Sequence, residues 1–360
     1  MKKRESVTLV WLCLIVAFSL TAASAASAQP GEFVKGVLQP LADGFPNRPI
    51  VLVVCDDPGT PDAVYALRWQ QVLSKISPVP LLSSSEPGMT SGTYYTLKDV
   101  ISREGGTDGY YLIILTIFAS PLDLLIDPIT EETGLDESDL NIVISTETIP
   151  FFIYQRKDAP WGPTWAGLVN YIKANPGKVK YISVNVGGST DMLVESYMRQ
   201  LGIRDKIVKI PQPGVNACLS TIGAGQGDFS ITSMLKLQPH YEAGRVVPIL
   251  VLSPTVPPPF DKNPNMTSLT QAGLPVMPVG NMPGLAVPKQ VPKAHVDWLF
   301  KLFKAGWDTP QYKEAALKVP SLQLTLRTGE EANAMKVQYI KMFDPIAREL
   351  GVHWTQQKKK

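Results

Sequence analysis

The sequence predicts an α/β protein of two lobes, each a mostly parallel sheet flanked by helices, with a ligand in the cleft between them. Three observations carry this expectation. From Pro49 onward, strand-like and helix-like patterns alternate. Two of the strand-like runs, 50–54 and 180–186, pass through a glycine turn into a helical pattern. Finally, 145–154 and 247–253 are suited to carry the chain from one lobe to the other and back.

Strands are expected at 50–54, 79–83, 110–116, 142–145, 150–154, 180–186, 206–210, 227–232 and 247–252. Helices are expected at 62–74, 93–104, 165–174, 190–201, 215–222, 295–306, 310–318 and 330–350. Prolines crowd 254–264 and 275–292, which read as loops. The two crossings divide the chain into a discontinuous lobe, 45–147 plus 252–357, and an inserted lobe, 148–251. Ligands of open α/β sheets lie beyond the C-terminal strand ends, so the two glycine turns are expected face to face.

The chemistry of those turns is specific. In "KYISVNVGGSTDMLVESYMRQLG" the strand formers stop at Gly187-Gly188, and Ser189, Thr190 and Asp191 open an apolar helical pattern. In "IVLVVCDDPGTPDAVYALRWQQVL" the turn is Pro58-Gly59-Thr60-Pro61-Asp62, with Pro61 where a first helical residue tolerates a missing N–H. The first N–H groups of a helix have no intrahelical acceptor, and the helix dipole favours negative charge beside them. Glycine followed by Ser, Thr or Asp also makes ordinary strand-to-helix turns, so the repetition is what points to one shared anion. The candidate ligand-binding residues are therefore Asp57, Pro58, Gly59, Thr60 and Asp62 in one turn, and Gly187, Gly188, Ser189 and Thr190 in the other. Asn185, the turns at Ser120 and Pro213-Gly214, and Ser233 would shape the rest of the pocket. Phe118, in "TIFASP" beyond a strand end, is either a pocket wall or a core residue.

The N-terminus reads as a cleaved secretory signal: Lys2, Lys3 and Arg4, then an apolar run over 7–20, then Ala26-Ser27-Ala28 before Gln29. Cleavage after Ala28 would leave 31 basic and 31 acidic residues, and periplasmic residence is expected. So neutral a chain lacks the clustered positive charge that nucleic-acid binding needs, and no nucleic-acid partner is expected. Lys358-Lys359-Lys360 reads as a solvated tail.

Other chemistry finds little support. Cys55 and Cys218 are expected as two buried thiols rather than a pair. With these and three histidines, no metal site is expected and no cofactor is implied. Gly223-Ala224-Gly225-Gln226-Gly227 follows a helix and precedes a strand, the wrong order for a dinucleotide loop, and reads as a helix C-terminal turn. The acidic run over 131–139 lacks calcium-loop spacing and reads as a solvated turn. His240 and His295 are not placed as catalytic groups, and Trp161, Trp165, Trp298 and Trp307 read as core. An enzyme is not expected.

An ordered series of short motifs carries a resemblance. It comprises Phe45-Pro46-Asn47-Arg48-Pro49-Ile50, Pro58-Gly59, Asp108-Gly109-Tyr110, "YIKANPGKVKYIS", "GGSTDML", "GAGQGDFSI", "SLTQAGLP" and "GLAVP". In order and spacing it resembles the solute-binding receptors of tripartite tricarboxylate transporters, the Bug group, from about Phe45 to Glu330. The resemblance implies a type II-like periplasmic-binding-protein architecture and a monomer. Such a receptor closes on a small mono- or dicarboxylate, aromatic acids included, and delivers it to integral membrane transporter subunits. It holds the carboxylate with backbone amides, hydroxyls and ordered waters, without requiring an Arg. The alternative output is presentation of the ligand to a membrane sensor kinase.

The sequence departs from the family pattern at Cys55-Asp56-Asp57, where an apolar-aromatic stretch is usual, and at Gln212-Pro213-Gly214. The two acids either point to solvent or cap a helix, or match a ligand that carries less negative charge, an amine, or a bridging cation.

Overall fold

The structure, a computed structural model, describes residues 29–55, 60–86 and 92–357. The expected signal segment, Asp56 to Gly59 and the terminal lysines lie outside the described residues. A short hairpin, β1 (Phe33–Val34) and β2 (Val37–Leu38), precedes β3 (Ile50–Val54), α1 (Pro61–Leu73), β4 (Leu81–Ser85) and α2 (Gly92–Ser102). There follow β5 (Tyr111–Thr116), α3 (Ser120–Ile126), α4 (Ile129–Thr133) and β6 (Leu140–Thr148). The middle of the chain gives β7 (Phe151–Arg156), α5 (Trp165–Ala174), β8 (Val179–Val184), α6 (Ser189–Gln200), β9 (Ile207–Gln212), α7 (Val215–Gly223), β10 (Phe229–Ser233), α8 (Met234–Glu242) and β11 (Val246–Val251). The last part gives β12 (Thr267–Ser268), β13 (Pro283–Pro288), α9 (Lys293–Trp307), α10 (Pro310–Ala316), β14 (Gln323–Thr328), α11 (Gly329–Glu349) and α12 (Trp354–Gln357).

Two six-stranded sheets result, in the orders β14-β6-β13-β5-β3-β4 and β12-β11-β7-β10-β8-β9. In the first, β3, β4, β5 and β6 point one way, and β13 and β14 run against them. In the second, only β7 runs against the common direction. The reversed strands are the cost of crossing twice. Between β6 and β7 stand only Ile149 and Pro150. β6 ends at the C-terminal edge of its sheet, and Phe151 opens β7 opposite Ser233, the last residue of β10. The chain therefore steps from the C-terminal edge of one sheet straight onto that of the other. The return starts at the same edge: the Leu252 N–H donates to the Phe151 carbonyl at 2.8 Å, and β13 later enters with Pro283 opposite Thr116. β12 pairs with β11, so the chain still serves the second sheet beyond residue 252.

Both sheets are covered on two faces, which explains their near-continuous apolar strands. Along β3 the faces alternate: Ile50, Leu52 and Val54 join one core with α1, α9 and α10, and Val53 joins the other. The first core centres on Trp69, stacked on Tyr312 at 4.4 Å with Phe303 edge-on at 5.0 Å. The second runs unbroken into the other lobe, because α11 packs on α3, on β6 and on α6.

β13 and β14 went unforeseen. β13 is a central strand flanked by Pro283 and Pro288, and the surrounding proline density reads as loop. The prolines sit at its two ends, where a missing donor interrupts the ladder least. The acidic run is not one solvated turn: it forms α4 and a 3-10 turn over Glu137–Asp139, and buried Asp139 pairs with Lys289 at 2.6 Å. Trp165 and Trp298 are buried, whereas Trp161 and Trp307 are only partly so.

Candidate functional site

Six helices begin directly beyond a forward strand: α1, α2 and α3 in the first sheet, and α6, α7 and α8 in the second. The β6–β7 crossing sets the C-terminal edges of the two sheets next to each other, and these six helix N-termini lie along those edges. Each carries part of a positive charge, about half an elementary charge at most.

The α6 end is the most fully built. Beyond Val184 the backbone turns through Asn185 (φ +46°) and Gly187 (φ +82°), and Gly188 caps the helix in extended conformation. At Gly187 a side chain is excluded twice over: the conformation is left-handed, and a Cβ would lie 2.9 Å from Val352 Cβ. The Gly187 N–H donates to Asp191 Oδ2 at 2.8 Å, and the Gly188 N–H to the Asn185 carbonyl at 2.8 Å. These two amides, expected to face a ligand, are thus used within the turn. The N–H groups of Ser189, Thr190 and Asp191 have no acceptor among the described residues, and no side chain caps this helix. Ser189 and Thr190 are half-buried.

The carboxylate of Asp191 is fully buried under the turn. It accepts from Ser183 Oγ at 2.8 Å and from Lys209 Nζ as well as from Gly187. Lys209 also lies 3.2 Å from Glu195, itself buried and paired with Arg204. No sequence signal marks Lys209, which is one polar residue of the edge strand β9. Only the register that sets it opposite Tyr181 brings it under α6.

The first lobe's contribution is partly visible. Thr60 caps α1, its hydroxyl accepting from the Ala63 N–H at 3.4 Å, and Asp62 sits in the first turn. Asp57, Pro58 and Gly59 lie outside the described residues. Ser120 opens α3 and accepts from the Thr93 hydroxyl at 3.0 Å, tying that end to the start of α2. Asp123, in the first turn of α3, was not foreseen; burial, then the charge of Asp127, pushes its carboxyl up to about 7. Phe118 is fully buried, edge-on to Tyr339 at 5.2 Å and Phe343 at 5.6 Å, and so packs the core behind the crossing. Ser233 is buried at the end of β10, and Gly214 caps α7 with open space where a Cβ would stand.

No Arg or Lys stands in either turn. A cation does lie near the first edge: Arg327, half-buried, donates to Thr148 and Thr325, both at 2.9 Å, and feels the charge of Glu331. A surface depression of about 600 Å³ lined by Met234, Gln238, Tyr241, Phe260 and Pro320 shares no residue with the expected site.

Among the described residues no three His, Cys, Asp or Glu side chains are placed to hold a metal ion. Cys218 is buried, with its thiol pushed up to about 11 by burial, while Cys55 is only half-buried and donates to Thr96; they form no disulfide. His295 bonds Asp43 and the Asp108 carbonyl and stacks on Phe45 at 3.9 Å, which pins the N-terminal segment to α9. Gly225, with φ +72°, ends α7 as a C-terminal turn. No described helix is long and apolar enough to cross a membrane.

Two six-stranded sheets flanked by helices and joined at their C-terminal edges give the periplasmic-binding-protein fold. The chain belongs to the tripartite tricarboxylate transporter family receptors, TctC, whose family model matches residues 104–348. A UPF0065 protein from the gbd 5′ region of Cupriavidus necator is 25% identical over 318 residues, 87% of this chain and 91% of its own. MatC from Rhodopseudomonas palustris with bound malate has 17% identity and a TM-score of 0.64, over 84% of this chain and 99% of its own. An R. palustris protein with adipate has 20% identity and a TM-score of 0.68, over 86% and 99%. At these identities the structural likeness speaks for the fold.

Proposed function

We propose that this chain is an exported, monomeric receptor that captures a small mono- or dicarboxylate between its lobes and hands it to integral membrane transporter subunits. Family membership supports a transport receptor, and the malate and adipate of the two structural relatives support an organic acid. The observation that carries the chemistry is the α6 terminus, where three consecutive amides and two hydroxyls have no acceptor among the described residues beside a glycine turn. A carboxylate takes N–H bonds of this kind at about 1.5–3 kcal/mol each. With the helix-end preference added, micromolar affinity, about −8 kcal/mol, is within reach.

The two lobes are 45–147 with 252–357, and 148–251, the short strand Thr267–Ser268 being lent back to the second. Ser189 and Thr190 donate from one side and Thr60 from the other, and Asn185, Ser120, Pro213-Gly214 and Ser233 shape the walls. Asp62 acts through the first turn of α1, and Phe118 supports the pocket from the core.

The test is native mass spectrometry of protein secreted with its own signal. A retained organic acid, on a chain beginning at Gln29, is the expected result. A chain that keeps Met1, or one that binds no organic acid in a broad panel, would contradict the proposal.

A further inference from the structure

We infer that Lys209 and Asp191 form a positioning couple that lets the α6 turn hold an anion. This rests on the carboxylate reading above. An acid at the third position of α6 places a buried negative charge directly under the amides that are to receive another. Left alone, it would repel the ligand. It is not alone: Lys209 reaches it from β9, and Lys209 and Arg204 together match the two buried acids Asp191 and Glu195. The network is therefore neutral as a whole.

The carboxylate oxygens divide the work. Oδ1 accepts from Ser183 at the end of β8. Oδ2 accepts from Gly187 and from Lys209, which fixes the turn relative to the strand. Asp191 thus shapes the turn, and Lys209 cancels the charge that shaping introduces. Neither needs to touch the ligand.

The experiment compares Lys209→Met, Arg204→Met and the double variant Asp191→Asn/Lys209→Met, with malate and adipate as calorimetric probes. Amide exchange over 185–192 is followed in the unliganded proteins. Lys209→Met should weaken binding by roughly tenfold or more, since a close charge in a half-buried site acts through a low effective dielectric. It should also speed exchange of the turn. The double variant should regain most of both, because an Asn carbonyl still accepts from Gly187 and carries no charge. Arg204→Met removes the same charge but pairs only with Glu195, and should change binding and exchange far less.

Equal losses in Lys209→Met and Arg204→Met would overturn the couple in favour of a general charge effect. So would a folded Lys209→Met whose turn exchanges like wild type. Should Lys209→Met fail to fold, the double variant decides: wild-type exchange supports the couple, and a loosened turn overturns it. If the wild type binds neither these acids nor any other in a broad panel, or Ser189→Ala binds as it does, the carboxylate reading fails. The exchange comparison then still judges the couple on its own.

Discussion

At the residue scale, the α6 turn shows how far single positions were legible. Gly187, Gly188, Ser189 and Thr190 announce a strand-to-helix turn in any sequence. What they do not announce is which amides remain open, because an Asp three residues past a cap can point outward as easily as inward. Burial and the Lys209 contact settle it, and both depend on the neighbouring strand. Three substitutions test the assignment. Ser189→Ala should weaken binding of the retained acid by about 1–3 kcal/mol with little loss of stability. Gly187→Ala, forced into a left-handed conformation against Val352, should cost about 1–3 kcal/mol of stability in denaturant unfolding. Gly214→Ala, with open space around it, should stay within about 0.5 kcal/mol of wild type.

At the scale of elements, periodicity placed most helices within a residue or two of their observed ends, and α5 coincides with its expectation. It failed where an element is short, as in α3, or carries prolines at its limits, as in β13, and it also missed the six-residue strand β14. Pairing across the sheet also stayed hidden. Glu147 on β6 and Arg68 on α1 are both buried and paired, beside Tyr65, Tyr312 and Thr146. Burial pushes the Glu147 carboxyl from its ordinary 4.5 up to about 7 even with Arg68 adjacent. The folded state therefore holds a proton more tightly than the unfolded one, and this group's contribution to stability falls as pH rises between those values. Arg68→Met leaves the acid buried and unpaired, and should cost about 3–5 kcal/mol. The loss should be larger at pH 8 than at pH 5 in urea unfolding. A pH-independent loss would mean that Arg68 serves packing alone.

At the scale of the molecule, the two-lobed plan was legible because alternation and two crossings leave few topologies open. The α11 bridge was not, since a long amphipathic helix gives no sign in sequence of which lobes it joins. Its contacts with both lobes, and the short Ile149-Pro150 crossing, leave room for a hinge. Small-angle scattering should accordingly show a smaller radius of gyration when the bound acid is added, and an unchanged radius at saturation would argue against closure. The central claim, however, is that helix ends hold a carboxylate. Calorimetry of the retained acid against its neutral amide addresses it most directly. The account predicts micromolar binding of the acid, at least tenfold weaker binding of the amide, and a further loss in Ser189→Ala but little in Arg327→Met. Equal affinity for acid and amide, or a loss confined to Arg327→Met, would contradict it.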